Sequence, residues 1–146
     1  MKAPLIARVL GIAFVVAAIA GALPFTLAPA GPTAEYIEIA RGYGFLFGLF
    51  PVNGVHDALH GIFGIWGVAA SFGFAASVRY CRWLSCIYVV LAIVGAIPIT
   101  NTLFGIVPVY GHDIWLHAAI ALVAAYGGFG AGSIAPAEPE MPLAPP

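Results

Sequence analysis

Four apolar stretches, separated by polar or proline-marked breaks, run along the chain. The first, Val9 to Leu23, carries no charge, and with its flanks the segment 5–27 is long enough to cross a bilayer if it tilts or begins in the interface. Three more follow at 54–78, 83–100 and 112–131. Lys2 and Arg8, the apolar run and Ala28-Pro29-Ala30 also resemble the three parts of a secretory signal. The run is long for a signal, so a retained first span is the expectation. In the connection 28–43, Pro29, Gly31 and Pro32 mark turns, and Glu35, Glu38 and Arg41, three apart, predict a short surface helix. Prolines crowd the stretch 133–146, which reads as a disordered or extended tail beyond a transmembrane domain of residues 1–132.

The chain repeats itself. Moved along by 57 positions, LFGLFPVNGVHDALH (Leu46 to His60) falls on LFGIVPVYGHDIWLH (Leu103 to His117) with eight identities in fifteen columns. In each copy Pro51 or Pro108 removes an amide donor and pushes the preceding residue, Phe50 or Val107, off the helical region. Asn53 then suits the N-cap of the next helix, a role its counterpart Tyr110 cannot fill. Two helices separate the copies, so spans two and four run in the same direction, as in parallel repeats related by an axis along the membrane normal. Gly61, Gly64 and Gly67, facing Ala118, Ala121, Ala124 and Ala125, predict that these two spans are close neighbours.

Composition turns these stretches into membrane spans. The chain is 62% hydrophobic and 8% charged with a mean hydropathy of +1.04, against about a quarter charged residues in soluble domains. The expected fold is therefore all-α, an integral membrane four-helix bundle. Lys2, Arg8, Arg79 and Arg82 share one side in that topology and Arg41 stands alone on the other, which predicts cytoplasmic termini. Tyr36, Tyr43, Tyr110 and Trp115 would line the outer interface, and Tyr80 and Trp83 the inner one. A net charge of −1 without a basic patch excludes nucleic acid as a partner. The expected partners are the lipid bilayer, other membrane subunits or further copies of the chain. Cys81 and Cys86 form no CxxC pattern and read as packing residues.

The two copies hold all four histidines and both aspartates. His56 and His60 are four apart, as are Asp113 and His117, so each pair lies on one helix face. Brought together, His56, His60, Asp113 and His117 offer three imidazoles and a carboxylate, a donor set suited to zinc or another divalent transition metal. Asn53, Asp57 and His112 are candidates for supporting positions around it. A metal-dependent hydrolase would need an open coordination position for water. A hydrogen-bonded structural cluster in an accessory membrane subunit is the alternative. A third reading is bis-histidine haem ligation by His60 and His117, with Gly61 and Gly64 making room. No serine lies in a GxSxG context and no glycine run fits a phosphate loop.

LFGLFPVNGVHDALHGIFG (Leu46 to Gly64) and NTLFGIVPVYGHDIWLHAAIAL (Asn101 to Leu122) resemble the signature segments of the small bacterial membrane proteins grouped as domain of unknown function 4383. Asn53, His56, His60, Asn101, Asp113, Trp115 and His117 fit those segments. Asp57 stands where the family pattern has an amide, and His112 lies outside the pattern. The resemblance implies a multi-span protein of the bacterial inner membrane and no particular reaction.

Overall fold

The computed structural model describes residues 2–32 and 34–134. Four helices make up most of it: α1 (Lys2–Gly21), α2 (Gly54–Ala70), α3 (Phe74–Gly95) and α4 (His112–Gly128). The predicted tail lies outside the described residues from 135 onward, and Ser133 itself closes a short turn, Ala131–Ser133.

α1 begins with Pro4 in its first turn, where a missing amide costs nothing, and ends at Gly21 just before Pro24. The Thr26 hydroxyl returns to the carbonyls of Ala20 (2.5 Å) and Leu23 (2.6 Å), satisfying acceptors that the helix end leaves free. The first helix is thus shorter than the predicted span 5–27. The second is also shorter than its predicted 54–78, because α2 stops at Ala70 and Ser71 to Gly73 form a tight turn. The Ser77 hydroxyl stitches that turn by donating to the carbonyls of Ala70 (2.9 Å) and Gly73 (2.8 Å). Arg79 and Arg82 therefore lie inside α3, which replaces the predicted span 83–100, and α4 ends at Gly128 rather than residue 131. Tyr80 moves with the shifted helix. It is fully buried against Trp66 and not part of an interfacial belt.

Residues 35–41 form no helix, because the segment docks on the second repeat: the amides of Glu38 and Ile39 both donate to the Gly105 carbonyl. A small antiparallel sheet, which the sequence did not announce, joins β1 (Leu27–Ala28), β2 (Gly44–Leu46) and β3 (Phe50–Val52) in that order. Phe45 pairs with Pro51 and Leu46 with Phe50, so the first LFG forms the tip of a hairpin. Phe47 (φ 52°) and Gly48 (φ 73°) are left-handed there, and Phe104 (φ 60°) and Gly105 (φ 85°) repeat the conformation in the second LFG. Only glycine enters that region without penalty, so the two strained phenylalanines mark matching backbone turns.

The helices pack closely as two hairpins, α1 with α2 and α3 with α4. The predicted contact of α2 with α4 along their small residues is not formed, because those residues face other helices. A Cβ on Gly64 would lie 2.7 Å from the Val15 amide nitrogen, and one on Gly11 would lie 2.6 Å from that of Val68, so backbone meets backbone between α1 and α2. Gly128 approaches the Arg82 backbone of α3 in the same way, and Gly127 makes room for the Cys81 side chain. Phe14, Tyr80, Leu84 and Tyr88 fill the core between the hairpins. At one end Lys2 donates to Tyr126, Arg8 to Ser71 and Arg82 to the Gly128 carbonyl, which gathers the basic residues there. α2 and α4 begin at the opposite, entry end. Two helices, α1 and α3, are long and apolar enough to cross a membrane.

Two substitutions on one helix test this packing. Gly64→Ala drives a methyl into α1 backbone and is expected to cost about 1–3 kcal/mol, whereas Gly61→Ala meets only the Ala18 methyl at 3.8 Å and is tolerated. Thermal unfolding of the two variants in one detergent gives the comparison.

Candidate metal centre

Asn53 builds the entry end. Its side-chain oxygen accepts from the His56 amide at 2.9 Å, which caps α2, while its amide group donates to the carbonyls of Ile39 (2.9 Å) and Ile106 (2.8 Å). One buried side chain thus ties the start of α2 to the 34–43 segment and to the second repeat. Tyr110, its counterpart, bonds the Tyr43 hydroxyl at 2.6 Å instead. Burial, with Tyr43 beside it, pushes the Tyr110 phenol well above the usual range and keeps it protonated.

One turn into α2 and α4, His56, Asp113 and His117 converge from opposite sides. Each is at least 96% buried, and their ligand atoms lie within 4.8 Å of one another. His56 Nδ1 stands 3.9 Å from Asp113 Oδ2, too far for a hydrogen bond. The carbonyls of Pro51 and Pro108, one from each repeat, face the His56 ring. His60 lies beside His56 with ring centroids 4.4 Å apart and lines the same small cavity, but it is not one of the three converging donors.

His56 Nδ1, His60 Nδ1, Asp113 Oδ2 and His117 Nδ1 are all buried without a hydrogen-bond partner in the protein. A buried polar atom left in that state costs about 1–3 kcal/mol. Three of these atoms, all but Asp113 Oδ2, belong to residues that line a cavity of about 30 Å³. That volume accepts one ion or one water and is far too small for a porphyrin.

The supporting positions separate. Asn53 caps α2 as expected and bonds the His56 amide. Asp57 points the other way, its carboxylate lying across Gly21 of α1. His112 is exposed and accepts from the Trp115 indole at 3.0 Å. Successive residues on a helix point about 100° apart, so neighbours of a ligand in sequence need not be its neighbours in space.

Aromatic rings form the floor, a feature the repeat of spans two and four does not reveal. Phe14 stacks on His60 (centroids 5.5 Å) and Tyr88 meets His117 edge-on (5.1 Å). A second offset carried the signal. Moved by 74 positions, Arg8 to Gly21 falls on Arg82 to Gly95 with seven identities in fourteen columns, and Phe14 falls on Tyr88.

A family model for a domain of unknown function, DUF4383, matches residues 5–130. The chain belongs to the DUF4383 family. The match takes in all four helices and every donor at the centre, so the DUF4383 unit and the described fold are nearly the same length of chain. No curated protein and no solved structure matches the chain.

Asn53→Ala removes a cap worth roughly 1 kcal/mol and strands two carbonyls, a combined loss expected at about 2–4 kcal/mol. Denaturant unfolding in detergent, with His112→Ala as a neutral comparison, measures it.

Proposed function

We propose that this chain is a four-span inner-membrane protein that binds one divalent transition metal ion, zinc foremost, between His56, Asp113 and His117. The observation that carries the reading is the convergence of His56, Asp113 and His117, whose donor atoms lie within 4.8 Å of one another and which each hold a buried polar atom without a hydrogen-bond partner. Imidazole and carboxylate donors bind zinc at about 2.0–2.2 Å, and small side-chain rotations bring donors now within 4.8 Å to such distances. His60 is the available fourth donor. Donors buried to at least 96% suit structural zinc, whereas a catalytic ion keeps a position open to substrate. A structural ion is therefore favoured over a hydrolase.

The membrane reading rests on the outward faces. Leu5, Val9, Ile12, Val16 and Ile19 on α1, Ile62 and Ile65 on α2, Val89, Val90 and Ile93 on α3, and Leu122 and Val123 on α4 are all exposed. A soluble protein rarely exposes apolar surface on that scale. At 17 residues, α2 and α4 stand at the lower limit for a span. The end bearing Lys2, Arg8, Arg79 and Arg82 is assigned to the cytoplasm, so the metal centre lies near the outer face. Matching left-handed LFG turns and the two offsets, 57 and 74, support a parallel duplication of a helix-pair unit.

Metal analysis of purified protein is expected to give about one zinc per chain, reduced at least tenfold in His117→Ala and Asp113→Asn and unchanged in His112→Ala. Protein without stoichiometric metal, or with full content in both ligand variants, sinks the proposal. For topology, single cysteines placed at Lys2 and Glu38 in a Cys81→Ala/Cys86→Ala background should differ. An impermeant maleimide applied to intact cells should label only the second.

A further inference from the structure

An open cleft of about 710 Å³ lies on the other side of α2 from the metal centre, between the entry ends of α1 and α2. Ala18, Ala22, Leu27 and Val55 give it an apolar wall, and two charged residues, Asp57 and Arg41, also line it. Asp57 is 93% buried and its Oδ1 has no hydrogen-bond partner. Arg41 is exposed and forms no ion pair among the described residues. A buried carboxylate without a partner is costly in a mainly apolar site, and the fold does not require one there. Under the 57-residue offset Asp57 corresponds to Ile114, and Ile114 packs against Gly95 as Asp57 packs against Gly21. The same backbone arrangement is thus closed by an aliphatic side chain in the second half and by an acid in the first. Under the same offset Arg41 corresponds to Pro98. Both charges are particular to one half of a duplicated frame.

We propose that this cleft binds a phospholipid whose headgroup carries a primary ammonium beside a phosphodiester, as phosphatidylethanolamine does. The ammonium meets the Asp57 carboxylate, the phosphate meets the Arg41 guanidinium, and an acyl chain lies on the apolar wall. A headgroup of both signs neutralises both residues, whereas an anionic lipid would leave Asp57 unpaired and repelled. The assignment rests on the membrane placement proposed above, which sets the cleft at headgroup depth, and it does not depend on the metal ion.

Native mass spectrometry of full-length protein extracted in mild detergent, followed by thermal unfolding of the delipidated protein with added lipid, provides the test. About one retained phosphatidylethanolamine per chain is expected, with at least a tenfold preference over phosphatidylglycerol. Asp57→Asn should reduce that preference to within twofold. Arg41→Gln, at an exposed position that folding does not need, should weaken retention of the lipid at least fivefold. Undiminished retention in both variants, equal binding of phosphatidylglycerol, or stabilisation by soluble phosphoethanolamine equal to that by the lipid would overturn the proposal. Metal content measured on the same samples reads the other centre independently. A chain that stays in solution without detergent would instead defeat the membrane reading.

Discussion

The amide of Asn53 is the joint on which the entry end depends. Its three hydrogen bonds reach α2, the 34–43 segment and the residue before Val107, three parts of the chain that no shared helix or strand would otherwise hold in register. His56 follows one turn later, and its position relative to Asp113 is inherited from that joint. The second copy has no equivalent device, since Tyr110 lies across from Tyr43. The duplicated frame is therefore locked from one side only.

Parts of this arrangement were legible before any coordinates. The 57-residue offset located the converging His56, Asp113 and His117, the prolines located the breaks, and the chemistry of asparagine located the cap. Other parts were hidden for physical reasons. Phe47 and Phe104 sit in left-handed conformations that phenylalanine does not advertise, so the LFG turns and the small sheet they close were invisible. The break at Ser71 to Gly73 lies within an apolar run whose hydropathy barely changes there, because outward-facing and core-facing residues are equally apolar. Periodicity then gives no boundary. Gly64 and Gly67 announced a close helix approach but not its partner, which proved to be α1. The 74-residue offset between α1 and α3, visible in the same string, would have named the aromatic floor.

The two halves show what duplication preserves and what it releases. Phe14 and Tyr88 take matching places beside His60 and His117, and Gly21 and Gly95 matching places beside Asp57 and Ile114. Ring size and close approach are kept. Hydrogen-bonding character is exchanged freely: phenol for phenyl, acid for aliphatic side chain, histidine at 56 for aspartate at 113. A symmetric pair of such sites would place like groups opposite one another. The exchange at 56 and 113 instead sets an imidazole against a carboxylate, two donor types that both suit a transition-metal cation.

Each helical hairpin is cemented along its length, glycine to backbone, yet α2 and α4 reach one another at the entry end through the side chains of His56, Asp113 and His117. A cation gripped there would stand in series between two stiff half-bodies. Its coordination would join the Asn53 bond to Ile106 and the Glu38 and Ile39 bonds to Gly105 in clasping that rim shut, while each hairpin kept its own shape.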